Sequence, residues 1–236
     1  SSPLVSMSFA EASRKAEARV EAHLRRKGLK VLLVASASEN EGKSTVAANL
    51  ALALAEKHKK VLLIDADLHK PALYKIFSKH SQGNLSLEDV LRGRVDGRSA
   101  VTADRQHHLY QLLQFKPAAD PAALQGRPEI RDLLQTWREE MDYIIIDSSP
   151  VAVSANAEVW MELADSVLLV IRQDWSDVRV INDTVDLVWQ SGTDFAGFIL
   201  NAFRGEWTQA GQGYGYWEYA SGREDEPEGR QRDGRI

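Results

Sequence analysis

The sequence contains no cysteine among its 236 residues, which excludes disulfide bonds, thiolate nucleophiles and zinc sites built from cysteine. It has no long hydrophobic run either. The longest, such as Val31–Ala35 and Val167–Ile171, are far shorter than the roughly 20 apolar residues of a transmembrane helix. The formal net charge is −5, and this lack of positive charge argues weakly against nucleic acid as the main partner. We therefore expect no nucleic-acid partner and no transmembrane segment in this chain.

The first 30 residues lack the apolar core of a signal peptide and are rich in charge. Together with the absence of cysteine, this suits a reducing compartment and favours the cytoplasm. The sequence begins with Ser1 rather than methionine. Two explanations stay open: the initiator methionine is removed, or the sequence is the soluble part of a longer polypeptide.

Hydrophobic residues make up 44% of the chain, enough to build a core. Near-continuous runs of Val, Leu and Ile are typical of strands buried on both faces of a parallel sheet. The predicted strands are Lys30–Ala35, Lys60–Asp65, His108–Leu113, Tyr143–Asp147, Ser166–Ile171 and Phe195–Leu200, and the helices between them include Ser44–His58, Pro128–Glu140 and Val178–Gln190. This alternation predicts an α/β fold, a mostly parallel sheet flanked by helices on both faces, with ligands at the carboxyl ends of the strands.

The composition changes at both ends of this alternating region. Residues Phe9–Lys27 predict a polar helix that lies at the surface or at an interface and ends at Gly28. After Asn201 the chain is rich in Gly, Tyr and charged residues and cannot bury enough apolar surface to fold alone. We therefore divide the chain into an N-terminal helix at 1–28, a candidate oligomerisation element, a main domain at 29–203 and a flexible tail at 204–236.

A phosphate-binding loop follows the first predicted strand and opens the next helix. Its residues are Ala37, Ser38, Glu39, Asn40, Glu41, Gly42, Lys43, Ser44 and Thr45. In such a P-loop, backbone N–H groups surround the phosphate oxygens, and the positive end of the helix points at the anion. Lys43 is expected to reach the β- and γ-phosphates, and the Ser44 hydroxyl to bind Mg²⁺. The loop therefore predicts ATP and Mg²⁺ as ligands, with Ala37 in place of the usual first glycine.

Three aspartates follow buried strands of the predicted sheet. Asp65 and Asp67 end the second strand two positions apart, so both carboxylates are expected on one face, and Asp147 ends the fourth strand. Mg²⁺ prefers oxygen ligands, and one or two of these acids with Ser44 and the phosphates would hold it. The remaining acid is then free to accept a proton from an incoming hydroxyl, as phosphoryl transfer requires.

Taken together, these motifs resemble those of the bacterial tyrosine kinases of capsule and exopolysaccharide synthesis, the CpsD/CapB group. The resemblance covers most of the chain, from about Glu11 to Tyr219. Besides the P-loop, the matching motifs are Asp65-Ala-Asp67-Leu-His69-Lys70-Pro71, Asp147-Ser-Ser-Pro150, Gly197-Phe-Ile-Leu-Asn201 and Asp120-Pro121-Ala122. The main domain at 29–203 is then a P-loop kinase domain related to the MinD/ParA ATPases.

The resemblance implies a role for each matching position. Lys43 and Ser44 would bind the phosphates and Mg²⁺. Asp65 would be the catalytic acid nearest the metal and the incoming tyrosine, and Asp67 would assist it. The implied metal ligands are Ser44, Asp65 and Asp147, the last through water. Asn201 is a candidate contact of the adenine, although an Asn that merely closes a strand is an equally good interpretation.

The sequence departs from the family pattern at four positions. Ala37 replaces a glycine of the P-loop, and His69 stands where the family usually has Arg. Asn156 stands where an Asp is usual. The first helix reads Glu11-Ala-Ser-Arg14-Lys-Ala-Glu17, so that Glu17 reverses the charge of the last Arg in the family's ring-forming motif. A homo-oligomer built through that contact is therefore an open question.

The C-terminal tail concentrates three of the six tyrosines, Tyr214, Tyr216 and Tyr219. Because glycine neighbours leave such a tail mobile, we expect it to reach an active site, its own or that of a neighbour. These three tyrosines are the predicted phosphoacceptors. The other interpretations are an aromatic docking strip for a partner and plain disorder.

Three functions remain as alternatives. The first is a protein-tyrosine autokinase that regulates capsular or exopolysaccharide synthesis, working with a membrane chain-length regulator that recruits it to the inner face of the plasma membrane, as the resemblance implies. The second is a MinD/ParA-like ATPase switch, which Ser38 argues against because those relatives carry a lysine there. The third is a nucleotide-binding scaffold without turnover.

Overall fold

The computed structural model describes residues 3–79, 84–124, 126–152 and 154–201. Within these residues, seven strands form one sheet: β1 Val31–Ser36, β2 Val61–Ala66, β3 Thr102–Asp104, β4 Leu109–Leu112, β5 Tyr143–Ser148, β6 Ser166–Arg172 and β7 Asp194–Asn201. Their order across the sheet is β3-β4-β2-β5-β1-β6-β7. The β3–β4 pair at one edge is antiparallel, and all other neighbours are parallel.

The three central strands β2, β5 and β1 bury every one of their residues. Their sequences VLLIDA, YIIIDS and VLLVAS are apolar until the last two positions, as expected of strands covered on both faces. Because neighbouring strands run parallel, the polar residues that end them meet at one edge of the sheet. That edge carries the site described below.

Eight α-helices and one 3₁₀ helix accompany the sheet in the described residues. The α-helices are α1 Pro3–Lys27, α2 Lys43–Glu56, α3 Leu73–Ile76, α4 Leu87–Leu91, α5 Gly97–Ala100, α6 Pro128–Glu140, α7 Ala155–Leu163 and α8 Val178–Ser191, and the 3₁₀ helix is Ala122–Leu124. Local signals explain their ends: Pro128 opens α6, the Asp177 carboxylate caps α8 and Gly192, with φ of 72°, closes it.

Two hydrophobic clusters cover the two faces of the sheet. One packs Leu33, Ile64 and Ile146 against helix residues that include Trp137 and Trp160. The other packs the alternate strand residues, among them Val34, Leu63 and Ile145, against helix residues that include Ala51, Leu54 and Leu24. The predicted α/β architecture with helices on both faces is thus confirmed.

The helix α1 is joined to the domain by its C-terminal half. Leu24 is fully buried and Val20 nearly so, both in the cluster that contains α2. The buried His23 ring lies 2.6 Å from the Asp194 carboxylate at the start of β7, and Lys27 pairs with the same carboxylate. The predicted helix exists, begins earlier than expected, at Pro3, and makes more apolar contact with the domain than its polar sequence suggested.

All six predicted strands are present with ends within one residue of the prediction. The three predicted helices are also present, and the largest difference is at α2, which ends at Glu56, two residues before the predicted His58. The sequence did not predict β3, the four short helices α3, α4, α5 and α7, or the 3₁₀ helix. In the part of the chain that the structure describes, no helix is both long enough and apolar enough to cross a membrane.

Candidate active site

The P-loop connects β1 to α2 as predicted, and its geometry requires glycine at position 42. Gly42 has φ of 91°, and a Cβ there would lie 2.0 Å from Asn201 Nδ2. That amide in turn donates to the Glu41 carbonyl at 2.9 Å. Asn201, the last residue of β7, therefore contacts the P-loop, and its proposed contact with an adenine ring remains a prediction.

Ala37 fits the loop without strain. Its side chain is fully buried, and its φ is not positive, so the position does not demand glycine. The left-handed turn falls instead on Asn40, with φ of 63°, and on Gly42. The replacement of the usual first glycine is therefore compatible with a P-loop shape.

Lys43, the first residue of α2, extends into a cluster of carboxylates at the carboxyl edge of the sheet. Its Nζ lies 3.0 Å from Asp67 Oδ2 and 3.5 Å from Asp147 Oδ1. Burial would lower the pKa of Lys43, but attraction to Asp147 and Asp67 outweighs burial and raises it. The lysine is therefore a permanent buried cation at the point where phosphates bind in such loops.

Asp65 is fully buried opposite Asp147, its register partner across the parallel β2–β5 pair. Its Oδ2 accepts backbone N–H groups from Ala72 at 3.1 Å and Leu73 at 3.0 Å, and its Oδ1 accepts the Asp67 N–H at 3.3 Å. Burial, and then repulsion from Asp147, raise the pKa of Asp65 well above its ordinary value. Such a group takes up a proton readily.

Asp67 behaves in the opposite way. Burial would raise its pKa, but the charge of Lys43 and several hydrogen bonds outweigh burial and lower it. Oδ1 accepts the His69 N–H at 3.1 Å, the Lys70 N–H at 2.9 Å and the Ser149 hydroxyl at 2.9 Å. Asp67 is thus a fixed anion that holds Lys43 and shapes the turn after β2.

Asp147 is fully buried, and its polar neighbours in the described part of the chain are Lys43, whose Nζ lies 3.5 Å from Oδ1, and the Ser44 hydroxyl. Neither makes a well-formed hydrogen bond to the carboxylate. Burial raises its pKa, and the Lys43 charge and the Ser44 hydroxyl only partly offset this. A buried carboxylate with so few hydrogen bonds beside a P-loop serine fits a Mg²⁺ site, held directly or through water.

Among the described residues, no group of three or more His, Asp or Glu side chains forms a ready-made metal cage. Mg²⁺ does not require one, because it is commonly held by one or two carboxylates together with waters and substrate phosphates. Ser44 lies beside this cluster, with its Oγ 3.4 Å from Lys43 Nζ, whereas the Thr45 side chain is exposed.

A second group of residues, which the sequence did not predict, lies in the loop after β6 and holds the P-loop by hydrogen bonds. Arg172 donates to the Asn40 carbonyl at 3.0 Å, the Trp175 indole donates to the Glu39 carbonyl at 3.0 Å, and the Ser176 hydroxyl donates to the Glu41 carboxylate. The signal available was topological: the loop after β6 leaves the same edge of the sheet as the P-loop. Ser38 takes part through its N–H, which donates to Glu41 at 2.9 Å.

Some predicted features lie away from the cluster or outside the described residues. His69 is half-buried, and its Nε2 lies 3.2 Å from the Ser154 hydroxyl. Asn156 lies in α7 and Glu17 in α1. The predicted phosphoacceptors Tyr214, Tyr216 and Tyr219 lie outside the described residues.

Comparison with known proteins finds a matching family model and similar curated proteins. The model of an AAA domain matches residues 29–188. The chain is 31% identical over 189 residues to the tyrosine-protein kinase YwqD of Bacillus subtilis, covering 80% of this chain and 78% of that protein. It is 29% identical over 200 residues to the succinoglycan biosynthesis transport protein ExoP of Rhizobium meliloti, covering 82% of this chain but 25% of ExoP. The chain therefore spans most of its shorter relative and about a quarter of the longer one.

Solved structures agree with these relatives. The kinase domain of VpsO superposes with a TM-score of 0.72 at 28% identity, covering 84% of this chain and 99% of that domain. The septum site-determining protein MinD of Pyrococcus horikoshii, complexed with Mg-ADP, superposes with a TM-score of 0.64 at 24% identity, covering 72% of this chain and 69% of MinD. The second likeness shows a common fold.

Proposed function

We propose that this chain, which belongs to the bacterial tyrosine kinases of the CpsD/CapB group among the AAA-domain P-loop proteins, transfers the γ-phosphate of ATP to tyrosine hydroxyls. One observation carries the proposal. A buried lysine of the P-loop lies between Asp67 and Asp147, and Asp65 stands in register beside Asp147. Phosphoryl transfer needs a phosphate cradle, a cation, metal-binding oxygens and a proton acceptor, and this cluster contains a candidate for each.

In the proposed reaction the tyrosine oxygen forms a bond to the γ-phosphorus while the bond from that phosphorus to the bridging oxygen of ADP breaks. ADP leaves with the electron pair, and the phenolic proton passes to a carboxylate. Mg²⁺, when bound, would neutralise charge on the β- and γ-phosphates. Loop N–H groups and Lys43 would bind the phosphates, and Ser44 with Asp147 would hold the metal.

Asp65 is the better candidate for the proton acceptor, since its pKa is raised whereas that of Asp67 is lowered. Asp67 would assist by holding Lys43 until phosphates replace its carboxylate. His69 stands where relatives usually have Arg. Its backbone N–H donates to Asp67, and its ring hydrogen-bonds to Ser154 rather than to Lys43 or the three acids. We assign it no step.

The proposed acceptors are Tyr214, Tyr216 and Tyr219. The tail that carries them, 204–236, follows Asn201 closely in sequence, and Asn201 contacts the P-loop. Tyr214 follows Asn201 by 13 positions, and an extended chain of that length spans at most about 45 Å. The tail is therefore long enough to reach its own site or that of an adjacent copy.

At the level of the cell, we propose that the kinase regulates capsular or exopolysaccharide synthesis. The names of several relatives support this, among them the succinoglycan biosynthesis transport protein ExoP. We further propose a cytoplasmic location at the inner face of the plasma membrane, recruited there by a membrane chain-length regulator that activates it. Within the chain we propose 29–203 as the kinase domain, 204–236 as the phosphorylated tail and the N-terminal helix at 1–28 as a candidate oligomerisation element, in which Glu17 reverses the charge of the last Arg in the family's ring-forming motif.

A MinD-like ATPase switch is the second candidate, favoured by the common fold. The P-loop argues against it, because Ser38 stands where those relatives carry a lysine. The Ser38 N–H is also engaged by Glu41 within the loop.

The test is to incubate the pure chain with Mg-ATP, alone and with the cytoplasmic segments of a chain-length regulator, and to map phosphosites by mass spectrometry. Phosphate is expected on Tyr214, Tyr216 or Tyr219. Asp65→Asn should lower the rate by about 10²-fold or more, since a positioned base contributes about 10²–10⁴-fold, and Lys43→Met should abolish transfer. ATP hydrolysis without phosphotyrosine in both conditions would favour the switch, and nucleotide binding without turnover would favour the scaffold.

A further inference from the structure

A buried carboxylate inside the P-loop has no part in the reaction described above. The Glu41 side chain is only 1% exposed. Its Oε2 accepts the Ser38 N–H at 2.9 Å, and its Oε1 accepts the Ser176 hydroxyl. Because a negative charge beside an anion-binding loop repels phosphate, Glu41 requires a reason other than ligand attraction.

The contact with Ser176 is directional. The Ser176 oxygen accepts the Arg172 N–H at 2.8 Å, which leaves the hydroxyl proton to be donated to Glu41. Ser176 immediately precedes Asp177, the cap of α8. The Glu41 carboxylate therefore joins the P-loop to the loop that connects β6 to α8.

Three successive carbonyls of the loop are held from outside. Those of Glu39, Asn40 and Glu41 accept hydrogen bonds from Trp175, Arg172 and Asn201, at 3.0, 3.0 and 2.9 Å. In a planar trans peptide the N–H points opposite to the carbonyl. The N–H groups of residues 40, 41 and 42 are thereby turned away from these donors.

The loop turns at a residue in the left-handed region. Asn40 has φ of 63°, an angle that Asn adopts more often than other residues with a side chain. Glu41 closes the loop over Asn40 by accepting a hydrogen bond from the N–H of Ser38, three positions before Glu41. Without the carboxylate, both the Ser38 N–H and the Ser176 hydroxyl lose this partner.

We propose that Glu41 is a positioning residue that, with Ser176, holds the P-loop in the shape that presents its N–H groups to the nucleotide phosphates. The inference rests on the proposed function only in that the loop binds a nucleotide. It concerns the shape of the loop and assigns Glu41 no contact with the substrate.

The test measures Mg-ADP affinity by calorimetry for the full chain and its variants. Loss of a buried hydrogen-bond partner predicts an affinity about 10- to 100-fold lower for Glu41→Ala and about 3- to 10-fold lower for Ser176→Ala. Glu41→Gln keeps an acceptor for the Ser38 N–H and should stay within about threefold of the wild type. In phosphoryl-transfer assays, Glu41→Ala and Ser176→Ala should raise KM for ATP more than they lower kcat.

Glu88→Ala is the matched control, since Glu88 is also buried, is hydrogen-bonded to Arg92 at 2.8 Å and lies on α4. It should lower the thermal midpoint and leave the affinity unchanged. Wild-type affinity in Glu41→Ala, or equal loss in Glu41→Gln and Glu41→Ala, would overturn the proposal. If Glu41→Ala does not fold, wild-type affinity in Ser176→Ala overturns it. If the variants show the expected Mg-ADP affinities but the wild type phosphorylates no tyrosine, the proposed function is overturned and the role of Glu41 is not.

Discussion

Asp65 and Asp147 are register partners on the neighbouring parallel strands β2 and β5, and both carboxylates are fully buried. Burial raises the pKa of each, and repulsion between them raises that of Asp65 further. Even with Lys43 beside it, and without a bound metal, this pair costs folding free energy at neutral pH. That cost fits a metal-binding site, because a divalent cation would relieve the repulsion between the two carboxylates.

Asp147→Asn should therefore stabilise the protein near neutral pH in the absence of metal and nucleotide. When the pKa of a carboxyl in the folded protein exceeds its ordinary value of 3.8, the free energy of unfolding falls as the pH rises from 3.8 through the folded pKa. The increase in unfolding free energy of Asp147→Asn over the wild type should be largest at pH 7.5 and should shrink as the pH falls toward 3.8. Urea unfolding with EDTA at several pH values measures it.

Asp67→Asn is the matched comparison and should have the opposite effect. The pKa of Asp67 is lowered, so its contribution to stability is present above the unfolded value and is lost as the pH falls through the folded one. Breaking its buried pair with Lys43 should cost up to about 3–5 kcal/mol at pH 7.5. Equal shifts of the same sign in both variants would contradict the assigned charges.

Gly42→Ala should disable the P-loop. The new Cβ would lie 2.0 Å from Asn201 Nδ2, in a residue with φ of 91°. We expect a loss of about 1–3 kcal/mol in unfolding free energy and at least a tenfold loss of Mg-ADP affinity. Gly192→Ala is the control, because its φ is also positive at 72° but no atom lies within 4 Å of the added Cβ. If both variants bind Mg-ADP as the wild type does, the close contact of Asn201 with the loop is not as described.

Leu24→Ala tests whether α1 is an integral part of the domain. Leu24 is fully buried against the cluster that contains α2, so its truncation should cost about 2–5 kcal/mol. Arg19 is exposed on the same helix, so Arg19→Ala should change the free energy of unfolding by no more than about 0.5 kcal/mol. Urea unfolding separates the two. A cost for Leu24→Ala no larger than that of the control would mean that α1 detaches in solution.

The sequence predicted the centre of the fold well for a physical reason. Strands such as Val61–Ala66 and Tyr143–Ser148 are buried on both faces, so their apolar runs are nearly unbroken and end at polar residues. Those polar ends predicted Asp65, Asp67 and Asp147 at one edge of the sheet, and the structure places all three around Lys43. The short edge strand Thr102–Asp104 exposes two of its three residues and carries no such pattern.

Contacts between loops could not be predicted in this way. The predicted topology places the loop of Arg172, Trp175 and Ser176 at the same edge of the sheet as the P-loop. It does not indicate which side chains hold the P-loop, because their partners are mostly backbone carbonyls, which every residue has. The opposite charge behaviour of Asp65 and Asp67 also depends on distances to Lys43 that spacing alone does not give. The burial of Leu24 was not predicted, because a helix that buries only about one residue per turn still has a polar composition on average.

The most direct test of the account is a crystal structure of the chain with Mg²⁺ and a non-hydrolysable ATP analogue. We expect Lys43 Nζ on the β- and γ-phosphate oxygens, and Mg²⁺ at about 2.1 Å from the Ser44 hydroxyl, with Asp147 as a ligand or one water away. The Asp65 carboxylate should face the γ-phosphate. A γ-phosphate bound away from Lys43, with the carboxylates of Asp65, Asp67 and Asp147 in contact with neither the phosphate nor the metal, would contradict the account.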